Sequence, residues 1–239
     1  MTVHDLYLES GPKHRTTMVH MFGLLGCIAI GPTTEEALAA TPDAIRSYLR
    51  FLHRHGEETG ASGPIETRVV EHITEGEWLG NGSPYIVFPP DFEPVSDEDL
   101  AMLLRRFRWL REDLAAWLRT QSAELLDVPP QPRGRTARAI VLHLLATPGS
   151  YLGAALGGAK GFSHLQTEAE RGLIPLDVAL LRVAELVEER IAESTPEERL
   201  RVIERPKDTR TFRKALRRML EHDWEHAREL ARRPGGPDL

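Results

Sequence analysis

The sequence predicts an α+β protein in two parts, a small α/β segment followed by an antiparallel four-helix bundle. Short β-prone runs and one capped helix fill the first third, and the apolar period changes to 3.6 after residue 96. A Pro- and Gly-rich tract separates the two regimes. The expected boundaries are 1–74 for the first part, 75–96 for a linker, 97–233 for the bundle and 234–239 for a tail.

Val3 to Leu8 and Thr17 to Phe22 read as strands joined by a turn at Ser10-Gly11-Pro12-Lys13. Leu25 to Ile30, bounded by Gly23 and Gly31, is a third run. Thr33-Thr34-Glu35-Glu36 supplies a capping box that opens a helix running to about His55. Pro42 predicts a kink or a fresh start within it. Arg68 to Ile73 is a fourth strand, and Tyr85 to Phe88 offers a further short one amid Gly80, Gly82, Pro84, Pro89, Pro90 and Pro94.

In the second part, Leu100, Leu103, Phe107, Leu110, Leu114, Trp117 and Leu118 mark one long amphipathic helix over about 97–126. Ala137 to Leu152 marks a second, entered past Pro132 and Gly134. Leu180 to Ile191 marks a third. Phe212 to Leu230 marks the fourth, stopped by Pro234-Gly235-Gly236. Four helices with one apolar stripe each can bury those stripes only against one another.

A net charge of -6 argues against nucleic acid as a partner, since phosphate binding needs a basic surface. The arginines of 201–218 are interspersed with glutamates and read as a solvated helix face. One cysteine, Cys27, excludes an internal disulfide and an all-cysteine zinc site, and its apolar run makes it a small core residue. No uninterrupted apolar run approaches the ~20 residues that span a bilayer. The first residues lack a secretory pattern, so a soluble cytoplasmic protein with no membrane partner is expected.

His222 and His226 are four apart on the fourth helix, about 40° apart in azimuth and one turn in rise, so both imidazoles can reach one ion. They fall on the edge of that helix's apolar stripe, and His143 sits at the matching edge of the second helix. Two alternatives stand. Three neutral imidazoles suit Zn²⁺ or Ni²⁺ and leave a coordination position open. Equally, the pair is two partly exposed polar residues, and His143 is a boundary residue bonded to a carbonyl. Asp223 lies near the middle of the stripe, an expensive place for a bare carboxylate. It either orients an imidazole N–H or pairs with a buried arginine. Glu225 points away and reads as solvated, although His222-Asp223-Trp224-Glu225-His226 also satisfies the H-x-x-E-H pattern with Glu225 as base. His4, His14, His20, His53, His55, His72 and His164 show no convergence. Gly153, Gly157, Gly158 and Gly161 with Lys160 match no nucleotide-binding pattern and read as a flexible connection.

Residues 24–38, Leu-Leu-Gly-Cys-Ile-Ala-Ile-Gly-Pro-Thr-Thr-Glu-Glu-Ala-Leu, followed by Asp43-Ala44-Ile45, resemble the HicB-like antitoxin family. That resemblance implies a small α/β fold and recognition of a protein partner. Ala137-Arg138-Ala139-Ile140-Val141-Leu142-His143 and the block from Thr211 to His226 are similar to the DinB/YfiT-like superfamily of helix bundles. This second resemblance implies a divalent metal held by His143, His222 and His226. It implies either a thiol-dependent S-transferase, in which the metal activates a low-molecular-weight thiol as thiolate, or a hydrolase with metal-activated water. Asp223 would tune the ligands, and no residue stands out as a general base. The other function class is a binding or regulatory module, antitoxin-like or stress-responsive, with a structural metal. Both resemblances imply a homodimer. Thr147-Pro148-Gly149 departs from the superfamily's uninterrupted helix and predicts a kink or an end just after His143.

Overall fold

The computed structural model describes residues 3–11, 15–58, 63–130, 133–206 and 208–239. Pro12 and Lys13 of the expected turn, His14 and Pro132 lie outside the described residues. The chain forms two compact units: Met1–Glu93 with Val202–Trp224, and Pro94–Arg201 with Glu225–Leu239. The division falls inside the last helix.

In the first unit, β1 (Val3–Gly11), β2 (Thr16–His20), β3 (Ile28–Gly31) and β4 (Glu66–Ile73) form one sheet in the order β3-β2-β1-β4. β1 and β2 are antiparallel, as are β2 and β3, while β4 lies parallel to β1 with an irregularity opposite Leu6 and Tyr7. The long crossover to a parallel strand is made by α1 (Thr34–Arg54). Thr33 caps it by accepting from the Glu36 amide, as its sequence requires. α1 continues through Pro42 instead of restarting there.

Two strand expectations are corrected. The third run begins as a strand only at Ile28, because Gly26 takes a left-handed φ of 98° and turns the chain. A Cβ at Gly26 would collide with the Tyr48 hydroxyl and the Leu220 side chain, so only glycine fits. Tyr85 to Phe88 is not a strand: the Tyr85 amide donates to Ser83 Oγ, and the Phe88 amide donates to Asp91 at the start of a 3₁₀ turn, Pro89–Phe92. Residues 75–93, read as linker, belong to the first unit, where Thr16 holds the Gly80 carbonyl and Glu9 accepts from the Ser83 amide at 2.9 Å.

The register pairs Tyr7 with His20 and Glu9 with Met18, so these four share one sheet face while Leu8 and Val19 share the other. Glu9 and His20 are nonetheless buried. They meet the first half of the last helix, α8 (Phe212–Ala231). Arg217 and Arg218 of α8 are buried too, which overturns the solvated face expected for this stretch. Arg217 makes paired 2.8 Å bonds to Asp91 and a 2.9 Å bond to Glu221. Glu221 also accepts from Arg218 at 2.8 Å and lies 3.1 Å from His20 Nδ1. Burial by itself would push His20 down, but Glu221 and Glu9 beside it outweigh this and raise its pKa. Burial likewise opposes ionisation of Glu221, and Arg217 and His20 overcome it to hold that carboxylate well below the usual range.

The second unit holds α2 (Asp97–Leu118), α3 (Ala123–Leu126), α4 (Ala137–Leu156), α5 (Phe162–Glu170), α6 (Leu176–Ala192) and α7 (Pro196–Leu200). It also holds the last turns of α8. A hairpin of β5 (Ile203–Arg205) and β6 (Asp208–Arg210) belongs to the first unit. The single long helix expected over 97–126 is two helices. Thr120 bonds back to the Trp117 carbonyl, and Ser122 caps a new start by accepting from the Leu125 amide. α2 and α6 are bridged by Arg108–Glu188 and Arg119–Asp177. α5 and α7 fall where the sequence showed only connections. α4 is long and apolar enough by composition to cross a membrane, with mean hydropathy 1.5. Ile140, Val141, Leu144, Leu145 and Leu152 are buried in this unit, as in a core helix.

α4 also runs through Pro148 rather than ending there. A proline at 148 cannot donate to the carbonyl four residues earlier, that of Leu144. Arg111 of α2, fully buried, donates to this same carbonyl at 2.9 Å. Gly149 admits the Phe162 ring of α5, which a Cβ would strike.

Arg111→Met is expected to lower the unfolding free energy by about 1–3 kcal/mol by orphaning the Leu144 carbonyl. The loss should shrink in a Pro148→Ala background, where residue 148 regains its N–H, and a urea-unfolding double-mutant cycle checks this. The raised His20 pKa stabilises the fold fully below pH 6.5 and is lost as pH rises through the folded-state value. Above pH 6.5 the stability of His20→Gln should therefore fall less steeply with pH than that of the wild type.

Candidate metal centre

α8 starts where Thr211 accepts from the Lys214 amide, and it runs unbroken to Ala231. His222 and His226 lie one turn apart on it, both buried. His143, more exposed than the other two, comes from the second turn of α4, and its ring centroid stands 5.3 Å from that of His226 at 78°. One ring nitrogen from each of the three histidines lies within 4.8 Å of the others.

The sequence's three-histidine grouping is thus brought together. Donors on a tetrahedral ion at ~2.1 Å stand about 3.4 Å apart, a separation that small side-chain rotations reach from here. Neutral imidazoles suit a divalent ion of the zinc and nickel type, and a three-donor set leaves room for an exogenous ligand.

Glu229, which sequence reasoning did not single out, is a carboxylate bonded to a site imidazole. It lies 3.0 Å from His226 Nδ1. A carboxylate can only accept, so Nδ1 carries the proton and Nε2 keeps its lone pair for a ligand. The bond from His226 comes first among the causes that hold Glu229 down to about 2; partial burial opposes it, and Arg135 and Arg233 reinforce it. The sequence signal was the i, i+3 spacing from His226. Asp223 is buried, and its carboxylate stands 3.9 Å from His222 Nδ1, an ion-pair separation beyond hydrogen-bond reach. Glu225 is half-buried rather than solvated. On the His143 side, Thr147 Oγ1 donates to the His143 carbonyl at 2.6 Å. Elsewhere, Cys27 is buried as expected, His72 is bonded to Ser10, and His164 is exposed beside Glu168.

The sequence profile of the DinB superfamily matches residues 106–230, which is 125 of 239 residues. The chain belongs to the DinB superfamily. The matched span contains α4 and nearly all of α8, hence all three histidines of the DinB-like site. A solved structure, YfiT from Bacillus subtilis, is described as a probable metal-dependent hydrolase with an unusual four-helix bundle topology. It shares 20% identity over 59% of this chain and 90% of its own, with a TM-score of 0.43. Among curated proteins none matches this DinB-superfamily chain.

Glu229→Ala should weaken zinc binding by roughly 10–100-fold, because His226 loses the acceptor that fixes its tautomer. Competition with a chromophoric chelator measures this, and unchanged affinity would remove Glu229 from the site.

Proposed function

We propose that this DinB-superfamily protein binds one divalent ion, zinc or nickel, through His143, His222 and His226, and works as a metal-dependent enzyme. The reaction is a thiol-dependent transfer or a hydrolysis on a small-molecule substrate. The observation that carries this reading is the convergence of three imidazoles within 4.8 Å from two helices, with a carboxylate fixing the tautomer of one of them. Structural zinc sites are closed by four protein ligands, whereas three-ligand sites with an open position are the catalytic kind. An ion held there supplies Lewis-acid polarisation or activation of a water or thiol. The chain's own residues orient the donors: Glu229 aligns His226, and the Thr147 hydroxyl holds the backbone at His143.

The HicB-like resemblance of residues 1–74 adds a partner-binding role to this reading, supported by the sequence block 24–38. A cytoplasmic homodimer completes the proposal. The alternative, a regulatory module with a structural metal, would call for a fourth protein ligand.

Metal content per chain, measured by mass spectrometry on untagged protein beside His222→Ala, tests the proposal. About one equivalent of zinc or nickel is expected in the wild type, with loss in the variant. A wild type that carries no metal and takes none up on titration would reduce the histidines to structural residues.

A further inference from the structure

Arg135 stands against the histidine cluster without being one of its donors. Its Nη2 lies 3.2 Å from Nδ1 and 3.5 Å from Nε2 of His226, and 3.2 Å from Glu229 Oε2. Nδ1–H faces Glu229, so Nε2 is the atom left for a metal, and the guanidinium stands 3.5 Å from it. Glu229 is already shared: Arg233 donates to it at 3.2 Å and to the Arg135 carbonyl at 2.9 Å. One carboxylate therefore serves two guanidiniums and an imidazole. A divalent ion on three neutral imidazoles adds two positive charges beside them.

Like charges this close in a half-buried site repel unless an anion lies between them. A guanidinium also offers a planar fork of N–H donors matched to an oxyanion. The side chain is 44% exposed, so solutes can reach it. We infer that Arg135 is a substrate-binding residue, and that the ligand taken at the open coordination position carries an oxyanion, a carboxylate or a phosphate, held between the ion and Arg135. This rests on the metal reading above.

The test uses the full chain loaded with cobalt(II), as wild type, Arg135→Gln and Arg135→Lys, followed by visible absorption. Acetate, phosphate and neutral imidazole are titrated at fixed ionic strength. Equal cobalt loading of all three proteins is expected. Oxyanion affinity should fall about tenfold in Arg135→Gln and recover in part in Arg135→Lys, while imidazole affinity is unchanged. The oxyanion that loses more affinity identifies the group recognised. Equal oxyanion affinity in the loaded wild type and Arg135→Gln would overturn the Arg135 assignment alone. Failure of the wild type to take up cobalt would overturn the metal reading, and this inference with it.

Discussion

Arg217 is almost wholly removed from solvent, and an arginine cannot shed its charge on burial as a lysine or histidine can. Its donors must all find acceptors inside the first unit. Asp91 takes two in parallel and Glu221 another, and each carboxylate is anchored in turn, Asp91 by the Phe88 amide and Glu221 by Arg218 and His20. The tract from Gly80 to Phe92, devoid of helix or strand apart from its 3₁₀ turn, is ordered because it delivers Asp91 and the Ser83 amide to this network. Three carboxylates are set against two arginines and a His20 of raised pKa, so the buried charges are paired with opposite ones, the condition under which they are tolerable. Within the first unit, this part of α8 is held through 217, 218 and 221.

α4 solves a different problem. Pro148 lies five residues after His143, and without a replacement donor it would leave the Leu144 carbonyl bare in an apolar core. Arg111 supplies that donor from α2, and its guanidinium also stands 4.4 Å above the Phe107 ring. The helix stays continuous, and Gly149 uses the same turn to admit α5. One rung of the helix that carries His143 is thus supplied from a neighbouring helix, at the Leu144 carbonyl.

Between α4 and α8 the chemistry is that of a neutral donor set with cationic surroundings. Membership of the DinB superfamily is consistent with such a site, while a fold alone does not name a reaction. Arg135, Arg233 and Glu229 belong to the loop before α4 and the end of α8, where exposure allows a solute to approach. Glu229 links tautomer control to charge balance, since the same carboxylate aligns His226 and partly neutralises two guanidiniums.

The sequence by itself determined the α+β order, the Thr33 cap, the four principal helices and the grouping of His143, His222 and His226. Capping and apolar periodicity act between residues three and four apart, and the superfamily resemblance rested on contiguous blocks. Tertiary structure decided what those local rules cannot reach. Arg217 and Arg218 look like a solvated face until carboxylates distant in sequence are brought to them. Pro148 looks like a helix end until Arg111 meets Leu144. Gly26 looks like part of a β-prone run until its left-handed turn delays the strand to Ile28, where Tyr48 and Leu220 leave no room for a side chain at 26. Asp223 was the imidazole partner that the sequence suggested, and the tertiary structure adds Glu229, 3.0 Å from His226 Nδ1. For Arg217, Arg218 and the Leu144 carbonyl the deciding energy is that of a buried polar or charged group finding its partner, a term set by residues far away along the chain.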